Sequence, residues 1–326
     1  MISRRILVTG GAGYIGSHTV RLLLQQGYDV AVVDDLSKGF RHNVPASRLF
    51  RLNICETNAL TELLRQTRCE AVIHFAASIS VGESMREPQL YFANNVGGSL
   101  SLLTAMTRAG VKHIVFSSTA ALFGNPHTVP ILDDFPIQPV NPYGESKAMV
   151  ETMLKWFDQI HHLTGIALRY FNAAGADPEG HLGEEHEPET HLIPLVLRAC
   201  MTGKPMTIFG DDYDTPDGTC IRDYIHVNDL AQAHILSVEH LLGGGASDRF
   251  NVGTGTGHSV LELIRAAEKV TGKKVPYVMG PRREGDPARL VASSNKLREK
   301  LGWNPKYTAL ETIVEHAWRF AQKRAR

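Results

Sequence analysis

Short apolar runs alternate with amphipathic segments through the first half of the chain. The runs are rich in Val, Ile and Phe, which is typical of buried strands, and they cover residues 5–9, 29–33, 48–52, 71–77, 112–119 and 165–171. Between them, apolar residues recur at helical spacing in residues 17–26, 57–66 and 91–109. Because strands that alternate with helices pair in parallel, the pattern predicts an α/β fold with a doubly wound parallel sheet.

The pattern changes after Asn172. Residues 173–191 are rich in Gly, Pro, Glu and His, show little periodicity and predict an exposed loop. Shorter elements follow, with strands at 206–209, 222–227 and 250–253 and helices at 192–202, 228–242 (capped by Asn228 or Asp229), 260–271 (capped by Ser259) and 309–323. We predict a first domain of residues 1–172, to which segments near 220–252 return, and a smaller mixed α/β domain in residues 173–326.

A glycine-rich turn joins the first predicted strand to the first helix. Gly10, Gly13 and Gly16 allow a tight turn, a close approach of the backbone to a pyrophosphate, and close packing of the helix on the strand. The second strand leads to Asp34, where a carboxylate can hold both ribose hydroxyls and would repel a 2′-phosphate. The spacing therefore predicts a Rossmann-type dinucleotide site that takes NAD rather than NADP.

A tyrosine and a lysine stand one helical turn apart later in the chain. Asn141 suits a helix N-cap and Pro142 the first helical position, so a helix should begin here. Tyr143 and Lys147 then share one face, and a neighbouring cation favours the phenolate over the phenol, whose pKa is ordinarily about 10. Such pairs also occur on solvated helix faces. Because Thr119 ends the preceding strand, this pair belongs at the ligand-binding edge of the sheet, which makes Tyr143 a candidate general base.

Composition and charge narrow the class of protein. Of 326 residues, 43% are hydrophobic and 21% charged, which is ordinary for a folded globular protein and argues against extensive disorder. The 34 basic and 34 acidic residues cancel, so no basic excess points to nucleic acid or to an anionic membrane. The apolar run at the N-terminus is too short for a signal sequence or a membrane span, and a cytoplasmic location is expected.

Cysteines and histidines show no disulfide or metal-binding pattern. The four cysteines lack Cys-x-x-Cys spacing, and buried thiols are expected in a chain of this length. His181, His186 and His191 lie among glutamates in the loop 173–191, but no two of them have helical metal-ligand spacing beside a supporting strand. We therefore expect a solvated loop and no metal site.

Taken together, the motifs resemble those of a known enzyme family. The glycine turn, Asp34, Ser117-Ser118-Thr119 and Tyr143-x-x-x-Lys147 are similar to the motifs of the extended short-chain dehydrogenase/reductases. More discriminating pieces are Val81-Gly82-Glu83-Ser84, Tyr170-Phe171-Asn172, residues 218–227 and Arg282-Arg283-Glu284-Gly285-Asp286. Within the family the chain resembles the members that interconvert UDP-glucose and UDP-galactose, and the resemblance covers nearly all of it.

The resemblance implies a role for each group. Tyr143 takes the proton from the sugar 4-hydroxyl as a hydride leaves C4 for NAD, Lys147 lowers the pKa of Tyr143 and binds the nicotinamide ribose, and Thr119 bonds the 4-oxygen. The 4-keto sugar then turns and receives the hydride on its other face. The implied NAD-binding residues are Gly10, Gly13, Tyr14, Ile15, Gly16, Asp34, Asn53, Ile54, Phe75, Ala76, Ala77, Asn94, Ser117, Tyr143, Lys147 and Tyr170. The implied UDP-sugar residues are Thr119, Asn172, Leu192, Phe209, Arg222, Tyr224, Arg283, Asp286 and Leu290.

Four positions depart from the family pattern. Asn53 stands where Asp is common, Ile79 where some members have Lys, and His191 where Asn often precedes the leucine that meets the substrate phosphate. Leu290 occupies a position that is a bulky Tyr in some relatives and smaller in those of broader specificity. We hypothesise that Leu290 leaves room for a 2-acetamido group, so that UDP-N-acetylhexosamines are also accepted.

The same fold also carries other functions. A 4,6-dehydratase needs an acid and a base directly after the active-site Thr, where this chain has Ala120 and Ala121. A UDP-pentose 4-epimerase acts on the same reacting centre. These residues do not distinguish it from an enzyme that acts on UDP-glucose and UDP-galactose. A catalytically silent NAD-binding regulator could dispense with Tyr143, Lys147 and Thr119, all of which are present. The resemblance also implies a homodimer, formed through the helix 91–109 and the Tyr143 helix.

Overall fold

The computed structural model describes residues 4–283 and 286–324 of the chain. Within these ranges the strands are β1 (Arg5–Thr9), β2 (Asp29–Asp34), β3 (Leu49–Arg51), β4 (Ala71–His74), β5 (His113–Thr119), β6 (Thr164–Tyr170), β7 (Asn172–Ala174), β8 (Met206–Phe209), β9 (Ile221–His226), β10 (Asp248–Val252), β11 (Gly257–Ser259), β12 (Tyr277–Gly280) and β13 (Arg289–Leu290). The α-helices are α1 (Tyr14–Gln25), α2 (Thr57–Thr67), α3 (Val81–Ser84), α4 (Pro88–Tyr91), α5 (Gly98–Ala109), α6 (Pro142–His161), α7 (Leu192–Thr202), α8 (Val227–Leu242), α9 (Val260–Thr271), α10 (Asn295–Leu301) and α11 (Leu310–Arg324). Short 3₁₀ turns cover Arg41–Asn43, Ala46–Arg48 and Ala120–Phe123, and a π-helical turn covers Phe92–Gly97. No helix within the two described ranges is both long and apolar enough to cross a membrane.

Seven parallel strands form the large sheet, in the order β10-β6-β5-β4-β1-β2-β3. The order reverses at β1, because β2 and β3 extend the sheet on one side of β1 and β4, β5 and β6 extend it on the other. In doubly wound sheets, ligands bind at this switch point, beyond the carboxyl ends of the strands. The predicted α/β fold with a Rossmann-type parallel sheet is confirmed.

Side chains that alternate along the strands fill two cores, one on each face of the large sheet. Ile6 and Val8 of β1 pack in the core that contains α1 and α8, whereas Leu7 between them packs in the core that contains α2, α5 and α6. All three are fully buried, and each stabilises the fold by about 1.5–3 kcal/mol through loss of water contact. This two-sided packing fixes where each strand ends, and so positions the side chains at the carboxyl edge.

Residues after Asn172 build a further core around α7, α9 and α11. There β9 pairs with β7, β11 and β13, and β8 pairs with β12. The stretch near 220–252 is shared, because β10 joins the large sheet beside β6 and α8 packs in the first core, while β9 lies in the smaller sheet. The division of the chain into two domains stays a prediction.

Much of the loop 173–191 is packed rather than exposed, which corrects the expectation from sequence. Residues 174–177 are buried, as are Leu182, Gly183 and Glu185. A Cβ at Gly183 would overlap the Phe320 ring, so α11 covers this part of the loop closely. The loop sequence shows no periodic pattern of apolar residues that would predict this burial. The helix that covers the loop lies more than a hundred residues further along the chain.

One helix prediction holds with a local change, and another is wrong. The helix predicted at 91–109 is continuous with α4, because the residues that join α4, the π-helical turn and α5 all keep helical backbone angles, and only its hydrogen-bond pattern changes at Phe92–Gly97. The N-cap of α8 is His226, whose ring accepts from the Asn228 N–H at 3.1 Å, rather than Asn228 or Asp229. Asp229 is buried and accepts instead from the Lys306 and Tyr307 N–H groups, each at 2.8 Å. Asp229 therefore bonds to backbone groups distant in sequence and does not cap the helix, as its position near the helix start had suggested.

Candidate active site

The turn between β1 and α1 requires glycine at two positions. Gly10 has a φ of +67°, and a Cβ there would lie 2.5 Å from the Ala76 amide nitrogen. A Cβ on Gly16 would overlap the Gly10 carbonyl oxygen, so the turn could not close. Gly13 is the N-cap of α1 and offers no side chain to the first N–H groups of the helix. These groups and the helix dipole suit the turn to a pyrophosphate.

Asp34 ends β2 with its carboxylate beside the glycine turn. One carboxylate oxygen accepts from the Leu36 N–H and the other from the Ala12 N–H, each at 2.9 Å. Burial raises the pKa of Asp34, while these two hydrogen bonds lower it. The bonds fix the carboxylate in place, and its remaining lone pairs are suited to the hydroxyls of a ribose.

Asn53 and Ile54, predicted near the adenine, follow β3. The Asn53 amide donates to Asp35 at 2.9 Å, and its oxygen accepts from the Cys55 N–H at 2.9 Å. That oxygen therefore has one lone pair left for an adenine amine. Ile54 packs against Gly98 at the start of α5, where a Cβ would collide with it.

The other predicted dinucleotide contacts lie around the ends of β1 and β4. Ile15 packs against the first core, and the Ala76 backbone lies against Gly10, while Ala77 is half-buried. The Phe75 ring centre lies 4.6 Å from that of His234. Asn94, in the π-helical turn, donates to the Ser78 hydroxyl at 3.2 Å. These groups line one edge of the sheet, on the side where α1 begins.

Helix α6 begins as predicted. The Asn141 side chain accepts from the Gly144 N–H at 2.8 Å, and Pro142 occupies the first helical position. A Cβ at Gly144 would lie 2.6 Å from the Ala121 carbonyl oxygen, so glycine lets the first turn of α6 sit directly against the turn that follows Thr119. The helix start and the strand end are held together by this contact.

Five predicted residues meet at the carboxyl end of β5. The parallel register sets Thr119 opposite Tyr170 of β6, and the Tyr170 hydroxyl bonds with the Ser117 hydroxyl. Lys147 donates from Nζ to the Ser117 carbonyl at 2.9 Å and lies 5.9 Å from the centre of the Tyr143 ring. Hydroxyl, phenol and ammonium groups are therefore concentrated at one point beside the switch of strand order.

Burial opposes charge on both members of the Tyr143 and Lys147 pair. Burial raises the pKa of Tyr143, and a hydrogen bond with Thr119 lowers it. Burial lowers the pKa of Lys147 to about 7. The net shift of the Tyr143 pKa is upward because the residue is buried, and the expectation that Lys147 lowers this pKa stays a prediction.

The predicted UDP-sugar residues include two arginines held in different ways. Arg222 of β9 is buried, and its guanidinium donates to the Asp286 carboxylate at 2.6 Å. The Arg283 guanidinium is exposed and lies 4.1 Å from the centre of the Phe209 ring. The Glu284-Gly285 part of the same motif lies outside the described residues. A buried, oriented guanidinium beside an exposed one is suited to a diphosphate, which accepts paired N–H donors.

The remaining predicted substrate residues lie on β7, β9, α7 and β13. The β7 to β9 register sets Asn172 opposite Tyr224, whose pKa is raised by burial. Leu192 is the first residue of α7. Leu290, at the end of β13, packs against a small cluster that follows Thr119 in the chain, composed of Ala120, Leu122, Phe123 and Ile131.

Two histidines and two glutamates gather in the loop before α7. His191 Nδ1 lies 2.6 Å from Glu184 Oε1 and 3.5 Å from Glu189 Oε1, and His186 Nδ1 lies 3.4 Å from Glu184 Oε1. Burial works to lower the pKa of His191, but Glu184 and Glu189 raise it to about 10. Tyr14 packs edge-on against the His186 ring, and its hydroxyl donates to the backbone of the same loop. Sequence reasoning treated these side chains as separate solvated groups.

Comparison with known proteins identifies the family of this chain. Residues 6–253 match the NAD dependent epimerase/dehydratase family. The chain belongs to that family. Its cofactor is NAD, as the glycine turn and Asp34 predicted.

Individual members of the family are similar along nearly the whole chain. The UDP-glucose 4-epimerase of Halalkalibacterium halodurans is 52% identical over 314 residues, which cover 96% of this chain and 94% of the relative. A crystal structure of UDP-glucose 4-epimerase from Brucella ovis in complex with NAD has a TM-score of 0.95 at 46% identity, covering 98% of each chain. A UDP-glucose-4-epimerase from Stenotrophomonas maltophila with bound NAD and formylated UDP-arabinopyranose has a TM-score of 0.95 at 39% identity, covering 99% of this chain and 100% of that one. The resemblance inferred from the motifs is confirmed.

Two positioning residues of this family member escaped the sequence analysis. Asn95 is buried, accepts from the Ser78 N–H at 2.8 Å and donates to the Ser146 hydroxyl of α6 at 3.0 Å. Tyr91 is fully buried, and its ring centre lies 6.3 Å from that of Tyr143. Asn95 was detectable in principle, since an amide within a helical pattern that has a buried face needs a hydrogen-bond partner there.

Proposed function

We propose that this chain is an NAD-dependent 4-epimerase that interconverts UDP-glucose and UDP-galactose through a transient 4-keto sugar. The observation that carries the proposal is the meeting of Thr119, Tyr143 and Lys147 at the carboxyl end of β5, beside the glycine turn. Inversion by oxidation and reduction needs one proton carrier and one hydride carrier. Dehydration needs an added acid and base, and Ala120 and Ala121 supply neither.

The residues of the first domain fit NAD. Gly10 and Gly16 let the turn close against β4 and α1, so that its N–H groups can face a pyrophosphate, and the fixed Asp34 carboxylate suits the adenosine ribose. Ser117 and Tyr170 would lie near the nicotinamide. When bound, NAD supplies the acceptor and donor of the hydride at sugar C4.

The chain's own side chains move the proton and hold the sugar. The Thr119 hydroxyl lies near enough to Tyr143 to lower the pKa of the phenol, so it can pass a proton between the sugar 4-oxygen and the phenol. Lys147 is anchored by the Ser117 carbonyl and stays beside that phenol. Tyr143 and Lys147 are buried, which keeps bulk water from the reacting oxygen.

A single incubation tests the proposal. Purified protein is mixed with UDP-galactose without added cofactor, and the nucleotide sugars are separated by chromatography. We expect UDP-glucose to form, which would establish both the reaction and the retention of NAD. If none forms even with NAD supplied, the proposed function is wrong.

We propose that UDP-N-acetylhexosamines are also accepted, because Leu290 is smaller than tyrosine. Leu290 packs on the cluster that follows Thr119, so its size sets the space next to the reacting end of the sugar. Leu290→Tyr should lower kcat/KM for UDP-N-acetylglucosamine by at least tenfold while changing that for UDP-galactose little. Wild-type protein that leaves UDP-N-acetylglucosamine untouched would exclude this extension.

A UDP-pentose 4-epimerase is the second candidate. The relative from Stenotrophomonas maltophila holds a formylated UDP-arabinopyranose, and the reacting centre would be the same. Comparing kcat/KM for UDP-xylose with that for UDP-galactose decides between the two. A higher value for the pentose would replace the first proposal.

We further propose that the chain forms a homodimer through α5 and α6. Leu100 on α5 and Met149, Trp156 and Ile160 on α6 are exposed apolar side chains, and the last two are 54% and 63% exposed. The three α6 positions recur at helical spacing and form one stripe, which suits a helical bundle. Light scattering should give a dimer for wild type and a monomer for Trp156→Glu, with Val278→Glu, another exposed apolar site, remaining dimeric. A monomeric wild type would contradict the proposal.

The cytoplasmic location stays a proposal that rests on the cysteines. Cys55, Cys69, Cys200 and Cys220 all carry free thiols, and Cys55 is exposed. Exposed free thiols persist in reducing compartments. Fractionation of the native host should recover the activity with the cytoplasm.

A further inference from the structure

The loop that connects β7 to α7 holds four side chains whose arrangement the epimerase chemistry does not use. We propose that Glu184, His186, Glu189 and His191 form a binding site for one divalent transition-metal cation, with Zn²⁺ as the best match. The candidate ligand atoms, one from each side chain, all lie within 4.8 Å of one another. No part of this inference depends on which sugar the enzyme epimerises.

The spacing of the ligand atoms fits a four-coordinate ion. Zn²⁺ bonded to nitrogen and oxygen at about 2.0–2.1 Å in a tetrahedron separates its ligand atoms by about 3.4 Å. With Glu189 Oε1 as the ligand atom of that side chain, His186 Nδ1 lies 3.4 Å from Glu184 Oε1 and His191 Nδ1 lies 3.5 Å from Glu189 Oε1. The remaining measured separation, 2.6 Å between His191 Nδ1 and Glu184 Oε1, is a hydrogen bond that a bound ion would replace and widen.

An unpartnered nitrogen points to the same place. His186 Nδ1 is itself shielded from solvent and has only long contacts, at 3.4 Å to Glu184 and 3.9 Å to Glu189, neither with the geometry of a good hydrogen bond. Buried polar atoms are normally satisfied, and an exception calls for an explanation such as an ion. A divalent cation would accept this lone pair and would also neutralise the two carboxylates, whose charge is costly in a partly buried loop.

The ligand set also selects the class of metal. Mg²⁺ and Ca²⁺ prefer oxygen ligands alone, whereas two imidazoles with two carboxylates suit Zn²⁺ and similar transition metals. A second group in the same loop, Asp177, Glu179 and His181, does not share these features. Asp177 already accepts from the His181 N–H at 3.0 Å, and Glu179 and His181 are exposed. This second group therefore serves as the control site in the metal-binding test.

The proposed ion would fix the loop that leads into α7. His191 is the N-cap residue of that helix, and Glu184 lies at the far end of the linked segment. Linking the two would hold the start of α7, whose first residue, Leu192, is expected to meet the substrate phosphate. The ion would therefore be structural, with all four positions filled by protein ligands, as closed zinc sites are.

Metal titration of the NAD-containing, untagged protein tests the proposal. After chelator treatment and dialysis, we expect calorimetry to show one equivalent of Zn²⁺ bound per chain. His186→Gln and Glu189→Gln should weaken binding by about 100-fold or more, since loss of even an outer-shell partner costs 10- to 100-fold. His181→Gln should bind as wild type does.

Two results would overturn the inference. One is the absence of stoichiometric binding by wild-type protein, and the other is wild-type affinity in His186→Gln, whether or not His181→Gln still binds. Should the His186 variant not fold, Co²⁺ replaces Zn²⁺ in the wild type as a spectroscopic probe. Intense visible absorption, as given by four-coordinate Co²⁺, supports the site, and the weak absorption of six-coordinate Co²⁺ rejects it.

Discussion

A buried ion pair joins β6 to α6, the helix that carries Tyr143 and Lys147, and a serine of β5 bonds to the same carboxylate. Arg169 on β6 donates to both oxygens of Glu151 on α6, at 2.9 and 2.6 Å, and the Ser118 hydroxyl donates to the same carboxylate at 2.7 Å. Arg169 is only 1% exposed. Glu151 therefore ties the helix of Tyr143 to the strand end at Thr119, and its removal should be costly.

The expected cost follows from what each substitution leaves behind. Glu151→Gln keeps the shape of the side chain but leaves a buried guanidinium without its counter-charge, which should lower the free energy of unfolding by about 3–5 kcal/mol. Replacing both members, in Glu151→Leu with Arg169→Met, should recover most of that loss because no charge stays buried. The matched control is the exposed pair of Lys269 and Glu311, 3.4 Å apart, where Glu311→Gln should cost less than about 1 kcal/mol.

Urea unfolding with NAD in excess, followed by tryptophan fluorescence, measures these differences. A loss in Glu151→Gln no larger than in the surface control would mean that the pair is solvated, and the reasoning from burial would fail. A double variant as unstable as Glu151→Gln would assign the loss to packing instead of unpaired charge. Equal denaturant slopes are needed for either comparison.

Three residues of the proposed site give further expected outcomes. Tyr143→Phe should lower kcat at least 100-fold, about 2.7 kcal/mol of barrier, while UDP binding by calorimetry stays intact; unchanged turnover would remove Tyr143 from its role. Arg222→Met should weaken UDP binding by about 10- to 100-fold, through loss of a charged hydrogen bond worth about 1.5–3 kcal/mol, whereas the exposed Arg249→Met should not. Because burial lowers the pKa of Lys147 from 10.5 to about 7, the unfolded chain holds a proton between those pH values that the folded chain has lost. NAD-depleted wild type should therefore gain stability as pH rises through this range relative to Lys147→Met, and parallel pH profiles would contradict the shift.

Elements with strong local signals were predictable from sequence. The bounds of β1, α7 and β8 coincide with the predicted ranges. Ser259 caps α9 as expected, with Glu262 completing a reciprocal pair of hydrogen bonds. In each case the deciding interactions lie within a few residues of one another, so the sequence pattern contains them.

Features that depend on distant contacts were not predictable. The short strands β11 and β13 are defined by pairing with β9 and carry little pattern of their own. The two carboxylates beside His186 and His191 come together through the path of an irregular loop, which residue spacing does not encode. Asn95 and Tyr91 orient α6 through contacts across the fold, and the family motifs do not include them.

The pKa shifts at Tyr143 and Lys147 determine which protonation state of Tyr143 the protein favours. On a solvated helix, a lysine four residues away simply favours the phenolate, but here burial raises the pKa of Tyr143 and lowers that of Lys147. The chain alone thus holds a neutral phenol, which is the form that returns a proton to a sugar oxygen. Removing a proton requires the phenolate, and Thr119 lowers the pKa of Tyr143 toward it. Epimerisation needs Tyr143 both to remove a proton from the sugar and to return one. A bound ligand must therefore supply a further positive charge or hydrogen bond that lowers the pKa of Tyr143, so that the phenol becomes a strong enough base only when the site is occupied.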